Sequence, residues 1–364
     1  MSFETSFSNI LDKIDAIDPK AYAQSRNFVD GAVSYLSPYI SRGVISTRFV
    51  LESLLKKGYG MPEMEKFVQE LAWRDYWQQI WIAKGEDINN DLKREQPDFS
   101  HTQIPAAILA GKTGIEVVDE HIAKLWKTGY IHNHMRMYIA SIACNIGRSH
   151  WKVPAQWMYY HLLDGDWASN ALSWQWVAGA NANKKYYANQ ENINTFFYLN
   201  QKGSFLDVPY EAFPELETPE ILKETQPLRL STNLPPVSDL KVDASRPTLV
   251  YNYYNLDPNW HADLPANRVL LLEPSIFERY PVADHCLEFC QKLGENIPDL
   301  QVFVGEFHDL KLKIGQSQVH FKEHPLNGHY EGEEEPRDWM FGVKGYYPSF
   351  FAFWKKCKKE IKTW

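Results

Sequence analysis

Apolar residues recur every three or four positions through Val44 to Leu55, Met64 to Ile82, Gly114 to Trp126 and Tyr130 to Ile146, the spacing that lines one face of an α-helix. Proline is scarce inside these stretches, so the chain from Ser8 to about Tyr198 reads as helical. The pattern then breaks. Seven prolines fall between Pro209 and Pro247 with little periodicity, which predicts an extended connector. Beyond it the period shortens: Thr248 to Tyr254, Arg268 to Glu273, Gln301 to Phe307 and Val319 to Glu323 are apolar, β-rich and of strand length. Helical segments at Val282 to Leu293 and Ser349 to Lys362 alternate with them, and that alternation predicts a small, mostly parallel α/β sheet. Gly332 to Glu335, in an acidic patch, reads as a solvated loop. The expected organisation is therefore α+β and multidomain: an all-α domain over 1–205, a Pro-rich connector over 206–246 and a small α/β domain over 247–364.

Composition changes this picture in three places. Aromatics make up 14% of the chain, with 13 Trp, more than packing usually recruits and suggestive of stacking or electron transfer, with a bulky helical core as the plainer explanation. The net charge of −8 argues against a generic nucleic-acid binder, yet it is uneven: residues 101–200 hold 8 Lys/Arg against 6 Asp/Glu, residues 201–364 hold 18 against 25. The acidity sits in the tail and leaves the middle free to meet a phosphate backbone. No run of about 18 apolar residues and no apolar N-terminal stretch is present, so a cytoplasmic protein without membrane span or secretory signal is expected. Cys144, Cys286, Cys290 and Cys357 fit no paired pattern and are expected to be buried hydrophobes.

Three clusters carry candidate chemistry. In Gly31 to Ser46, small and hydroxyl residues lead into a helix; Ser34 and Ser37 with backbone N–H groups suit a diphosphate, although Ser-Pro before a helix is first of all a cap. In Glu70 to Trp77, Glu70, Trp73 and Arg74 share one helical face, either an ion pair under an indole or a stacking platform with a charged partner. In Thr128 to Met137 and Asp164 to Trp176, two aspartates, an asparagine and two tryptophans lie close together, costly to bury without a polar guest. His132 and His134 are two apart and point different ways on a helix, so no metal site is assigned.

Taken in order, the Leu-Ser-Pro-Tyr turn, Glu-Leu-x-Trp-Arg-Asp, Gly111 to Gly114 with Val118-Asp119, Gly-Tyr-Ile-His-Asn, Asp-Gly-Asp and Asn-x-x-x-Trp-x-Trp resemble the FAD-binding domain of the photolyase and cryptochrome family from about Tyr22 to Phe197. The resemblance implies FAD as cofactor, folded into a U within the helical domain. It assigns Tyr22, Ser34, Leu36 through its backbone, and Ser37 to the adenine and diphosphate side, and Arg74 and Asn133 to the flavin. Asp164 and Arg136 match a salt-bridged pair beside the ring system, Asp166 a neighbouring carboxylate, and Asn170 the residue facing flavin N5. Glu70, Trp73, Asn133, Met137 and Trp176 match positions that contact a flipped pyrimidine dimer. Trp174 and Trp151 match the inner members of a photoreduction chain.

The resemblance thus implies a light-driven DNA photolyase, a carbon–carbon lyase that splits cyclobutane dimers in UV-damaged DNA; the slight basic character of the middle segment, with His134 in place of an Arg, predicts weak binding of undamaged duplex. The alternative it implies is a cryptochrome-like blue-light photoreceptor, which acts through a signalling partner. The departures are specific. Tyr35 stands where the family usually has Arg, Val33 where it has Thr, His134 where repair enzymes have a DNA-contacting Arg, and Ile108 at the outer position of the Trp chain. The family's α/β domain usually precedes the FAD domain, whereas here only some twenty residues precede Tyr22 and the α/β segment follows; no antenna chromophore is expected.

Overall fold

The computed structural model describes residues 3–361, which form two compact units. One comprises residues 21–33 and 84–230, the other residues 3–20, 34–83 and 231–361. The long helix α1 (Met61–Lys84) therefore belongs almost wholly to the unit that holds the α/β sheet, and the connector is divided at Leu230. No helix among the described residues is long and apolar enough to cross a membrane.

In the first unit the helical periodicity resolves into α2 (Glu116–Thr128), α3 (Asn133–Ser141), α4 (Lys152–His161) and α5 (Trp167–Ala178). Their ends are set by local chemistry. Gly129 adopts left-handed φ of 67° after α2, and His132 caps α3 by accepting from the His134 N–H, so the single predicted helix over Tyr130 to Ile146 starts three residues late. It closes in a π-turn, Ile142–Ile146. Asp119 accepts from the backbone N–H groups of Thr113 and Gly114 and from the Thr113 hydroxyl. The Gly111 to Gly114 motif with Asp119 thereby works as a capping device for α2.

The second unit carries a five-stranded sheet: β1 (Thr248–Tyr251), β2 (Asn267–Leu272), β3 (Leu300–Val304), β4 (Val319–Lys322) and β5 (Glu333–Glu335). Every neighbouring pair is parallel and the order is β3-β2-β1-β4-β5, the doubly wound arrangement. The first four strands stand where the alternation predicts them. The fifth corrects the sequence reading, because Gly332 to Glu335 is an edge strand rather than a loop. Gly332 has φ +152°, and a Cβ there would come within 2.5 Å of the Val319 carbonyl oxygen, so glycine is what lets the edge approach β4. Val250, Val269, Leu271, Phe303, Val319 and Phe321 form a core with Phe307, Leu310 and Ile314 of the helix Phe307–Ile314. Alternate strand residues, among them Tyr251 and His320, turn to the other face.

The rest of this unit is helical and packs on the sheet's carboxyl end. Arg42 is fully buried, with its guanidinium 3.6 Å from the centre of the Tyr253 ring just beyond β1. Gly43, at φ +64°, abuts the Tyr254 carbonyl, where any Cβ would overlap it. Tyr254 stacks on His324, and Trp81 of α1 meets the same imidazole edge-on. The carboxyl edge at the β1/β4 switch point, the usual ligand crevice of such sheets, is thus filled by the protein's own side chains. All four cysteines are buried and unbonded to one another, as expected.

Candidate functional site

The residues singled out by sequence fall into two groups, one in each unit. In the first unit, Asp164 and Asp166 are both buried. Asp164 Oδ2 accepts from Arg136 Nη2 at 2.9 Å, and Arg136 Nε donates to the Ile131 carbonyl. Asp166 caps α5 by accepting from the Ser169 N–H at 2.7 Å. Asn170, one turn into α5, donates through Nδ2 to the Ala155 carbonyl at 2.8 Å, which fixes its amide plane. Ser169 Oγ beside it is buried with no hydrogen-bond partner among the described residues, a polar atom of the kind a ligand satisfies.

Asn133 and Met137 lie one turn apart on α3, exposed and half-buried respectively, and Trp176 is 39% exposed against Tyr186. Trp174 and Trp151 are buried, and Trp151 donates its indole N–H to Asp91 at 2.6 Å. Ile108 is fully buried and is no redox substitute; instead Phe99, His150 and Trp151 follow one another in edge and tilted contacts. His134 hydrogen-bonds to the Asn27 carbonyl and packs its ring on Phe196 and Tyr138. Burial holds its pKa below the ordinary imidazole value, so it offers no fixed charge in place of the family's Arg. Burial likewise drops His132 to about 4. Tyr22 lies half-buried on the helix Pro19–Ser25.

In the second unit the chain runs irregularly through Ser34 to Leu36 into the short helix Ser37–Ser41. Capping was the plainer expectation for these serines, but the N-cap position is Leu36 and no side chain caps the helix. The Ser34 and Ser37 hydroxyls accept and donate no hydrogen bond among the described residues, so this turn also keeps polar groups in hand. The first group, with its buried Asp164–Arg136 pair and the Ser169 hydroxyl, fits a polar, phosphate-bearing guest such as FAD. Tyr35 sits at φ 54° with its ring edge-on to Phe3.

On α1, Arg74 donates to Ser41 Oγ at 2.7 Å, and Glu70 pairs with Lys66 at 3.0 Å. Trp73 lies flat on Phe350. Asp75, absent from the sequence-based candidates, is buried and accepts from the Thr47 hydroxyl and the Met340 N–H. Its burial raises its pKa to about 6, against the opposing pull of those hydrogen bonds and of Arg337 and Arg74. Asp75 stands directly in the Trp-Arg-Asp motif, so the sequence showed the residue without its role.

Residues 67–207 match the family model described as the FAD binding domain of DNA photolyase. A deoxyribodipyrimidine photo-lyase of Agrobacterium fabrum is 32% identical over 181 residues, 47% of this chain and 38% of that protein. One from Thermus thermophilus is 35% identical over 166 residues, 43% and 38% of the two chains. Of solved structures, a bacterial class III photolyase from Agrobacterium tumefaciens is 29% identical, with a TM-score of 0.40 over 47% of this chain and 37% of that one. A Synechocystis cryptochrome gives a TM-score of 0.48 at 22% identity, over 54% of this chain and 44% of that one. The chain spans 38% of the length of each of the two photo-lyases.

Proposed function

We propose, on the premise that residues 67–207 carry a photolyase-type FAD-binding domain, that this protein binds FAD and splits cyclobutane pyrimidine dimers in UV-damaged DNA under blue light. The observation that carries the reading is the buried Asp164 bonded to Arg136, with Asn170 held on the next helix. FAD, when bound and reduced, supplies a light-driven electron that returns once the ring has opened, so the reaction has no net redox change.

The chain's own residues supply binding and orientation. Arg136 and Asp164 form a fixed charge pair, and Asn170 offers the amide atoms that Ala155 leaves over. Asn133, Met137 and Trp176 give an accessible polar and aromatic surface for an extruded base pair. The test is the visible spectrum of the purified protein, followed by repair of a dimer-containing oligonucleotide under blue light with the flavin reduced. A protein that neither retains nor takes up FAD overturns the cofactor reading. One that holds FAD but repairs nothing overturns the photolyase reading.

A photoreceptor acting through a signalling partner is the second reading. It is favoured by the Trp73 indole lying under Phe350 and by the burial of His134, which disfavours its charged form.

A further inference from the structure

We propose that His261, His320 and Glu335 form a site for one divalent transition-metal ion of the zinc class. All three belong to the sheet-bearing unit and come from different elements: the loop between β1 and β2, strand β4 and edge strand β5. Their ligating atoms lie within 4.8 Å of one another. Glu335 Oε1 is 2.7 Å from His261 Nε2 and 3.5 Å from His320 Nδ1.

Nitrogen and oxygen ligands at about 2.0–2.2 Å around a tetrahedral ion stand roughly 3.4 Å apart. The His320 separation already has that value, and His261 would retreat by about 0.7 Å on loading. His320 Nδ1 is the telling atom: it is buried and makes no hydrogen bond among the described residues, with Glu333 and Glu335 at 3.6 and 3.5 Å. A simple His261–Glu335 pair on a sheet edge would leave that nitrogen unsatisfied at a cost. An ion satisfies it.

The surroundings orient the donors as outer-shell groups do in metal sites. Trp260 Nε1 donates to Glu335 Oε2 at 2.9 Å, and Lys322 Nζ lies 3.6 Å from the same oxygen, so Oε1 is the oxygen presented to the imidazoles. His261 has the left-handed φ of 49°, uncommon for a residue with a side chain. The buried Arg268 holds it there by donating Nη2 to the carbonyls of His261, Ala262 and Leu264. Three protein ligands leave a fourth position for water, and the ion joins the loop, β4 and the short edge β5.

The test uses the full, untagged chain, stripped with a chelator and titrated with zinc chloride by calorimetry, with melting followed in parallel. One ion per chain at micromolar affinity or better is expected, with a zinc-dependent rise in melting temperature. His320→Ala and Glu335→Gln should each weaken binding by at least tenfold, whereas His308→Ala, at an exposed position elsewhere, should leave it unchanged. If wild type binds no stoichiometric zinc, or if binding survives the His261→Ala, His320→Ala double variant, the assignment is overturned. Wild-type titration alone decides the matter should a variant fail to fold.

Discussion

The indole of Trp73 and the ring of Phe350 lie face to face, centroids 3.7 Å apart and planes 10° from parallel. A surface expected to stack on a base is thus already stacked, on a residue near the end of the chain that is itself buried. Opening this pair separates repair from signalling. Phe350→Ala should cost about 3 to 5 kcal/mol in stability, as large-to-small core changes of Phe do. If Trp73 binds the lesion, the same change should tighten binding of a dimer-containing single-stranded oligonucleotide roughly tenfold, since a stacked base is worth about 1 to 3 kcal/mol. Adding Trp73→Ala should abolish the gain. Equal affinity in wild type and Phe350→Ala would remove Trp73 from the DNA site.

Asp164→Asn should release or loosen the flavin. It leaves Arg136 facing a neutral amide, and breaking such a buried pair costs about 3 to 5 kcal/mol. The flavin-to-protein absorbance ratio after gel filtration reports the loss, and a full complement of FAD with unchanged melting would sink the assigned pair.

Asp75 should make stability depend on pH in a definite direction. Its folded pKa, about 6, is raised above the ordinary 3.8, so the folded state favours the neutral acid. That contribution is full below pH 3.8 and disappears as pH rises through 6. Asp75→Asn removes the titration. The variant should therefore gain about 3 kcal/mol on wild type between pH 4 and 7, from 1.36 kcal/mol per pKa unit. His132 is pushed the other way, to about 4, so wild type alone shows a partly cancelled profile and the difference between paired urea titrations is the quantity to follow.

Gly43→Ala should be harmful beyond its size. The left-handed backbone costs an alanine about 1 to 3 kcal/mol, and its methyl would also displace the Tyr254 carbonyl. A fall of several degrees in melting temperature is expected. A variant that melts with wild type would mean the turn relaxes freely away from the loop after β1.

The helices and the first four strands were legible because apolar periodicity is a local signal. β5 was not: Glu333, Glu334 and Glu335 show no apolar alternation, and their strand character comes from Gly332 and from register against His320 and Lys322. The family resemblance was legible as an ordered series of motifs. Their surroundings were not, since the stacking of Phe350 on Trp73 and the bonding of Met340 to Asp75 join segments remote in sequence. His261, His320 and Glu335 escaped notice because their spacing matches no ligand motif and only the parallel pairing of β4 with β5 gathers them.

The division of the chain into discontinuous units bears on how it is made. Helix α1 leaves the ribosome early, yet the partners of Trp73, Asp75, Gln78 and Trp81 lie at Phe350, Met340, Arg337 and His324. Domains generally close in order of synthesis, so residues 84–230 can complete their unit while the apolar side of α1 still waits for the last third of the chain. Contacts of such long sequence separation form slowly. The newborn protein therefore passes through a stage in which its tryptophan-rich helix is uncovered, and that stage is where a chaperone would be needed most.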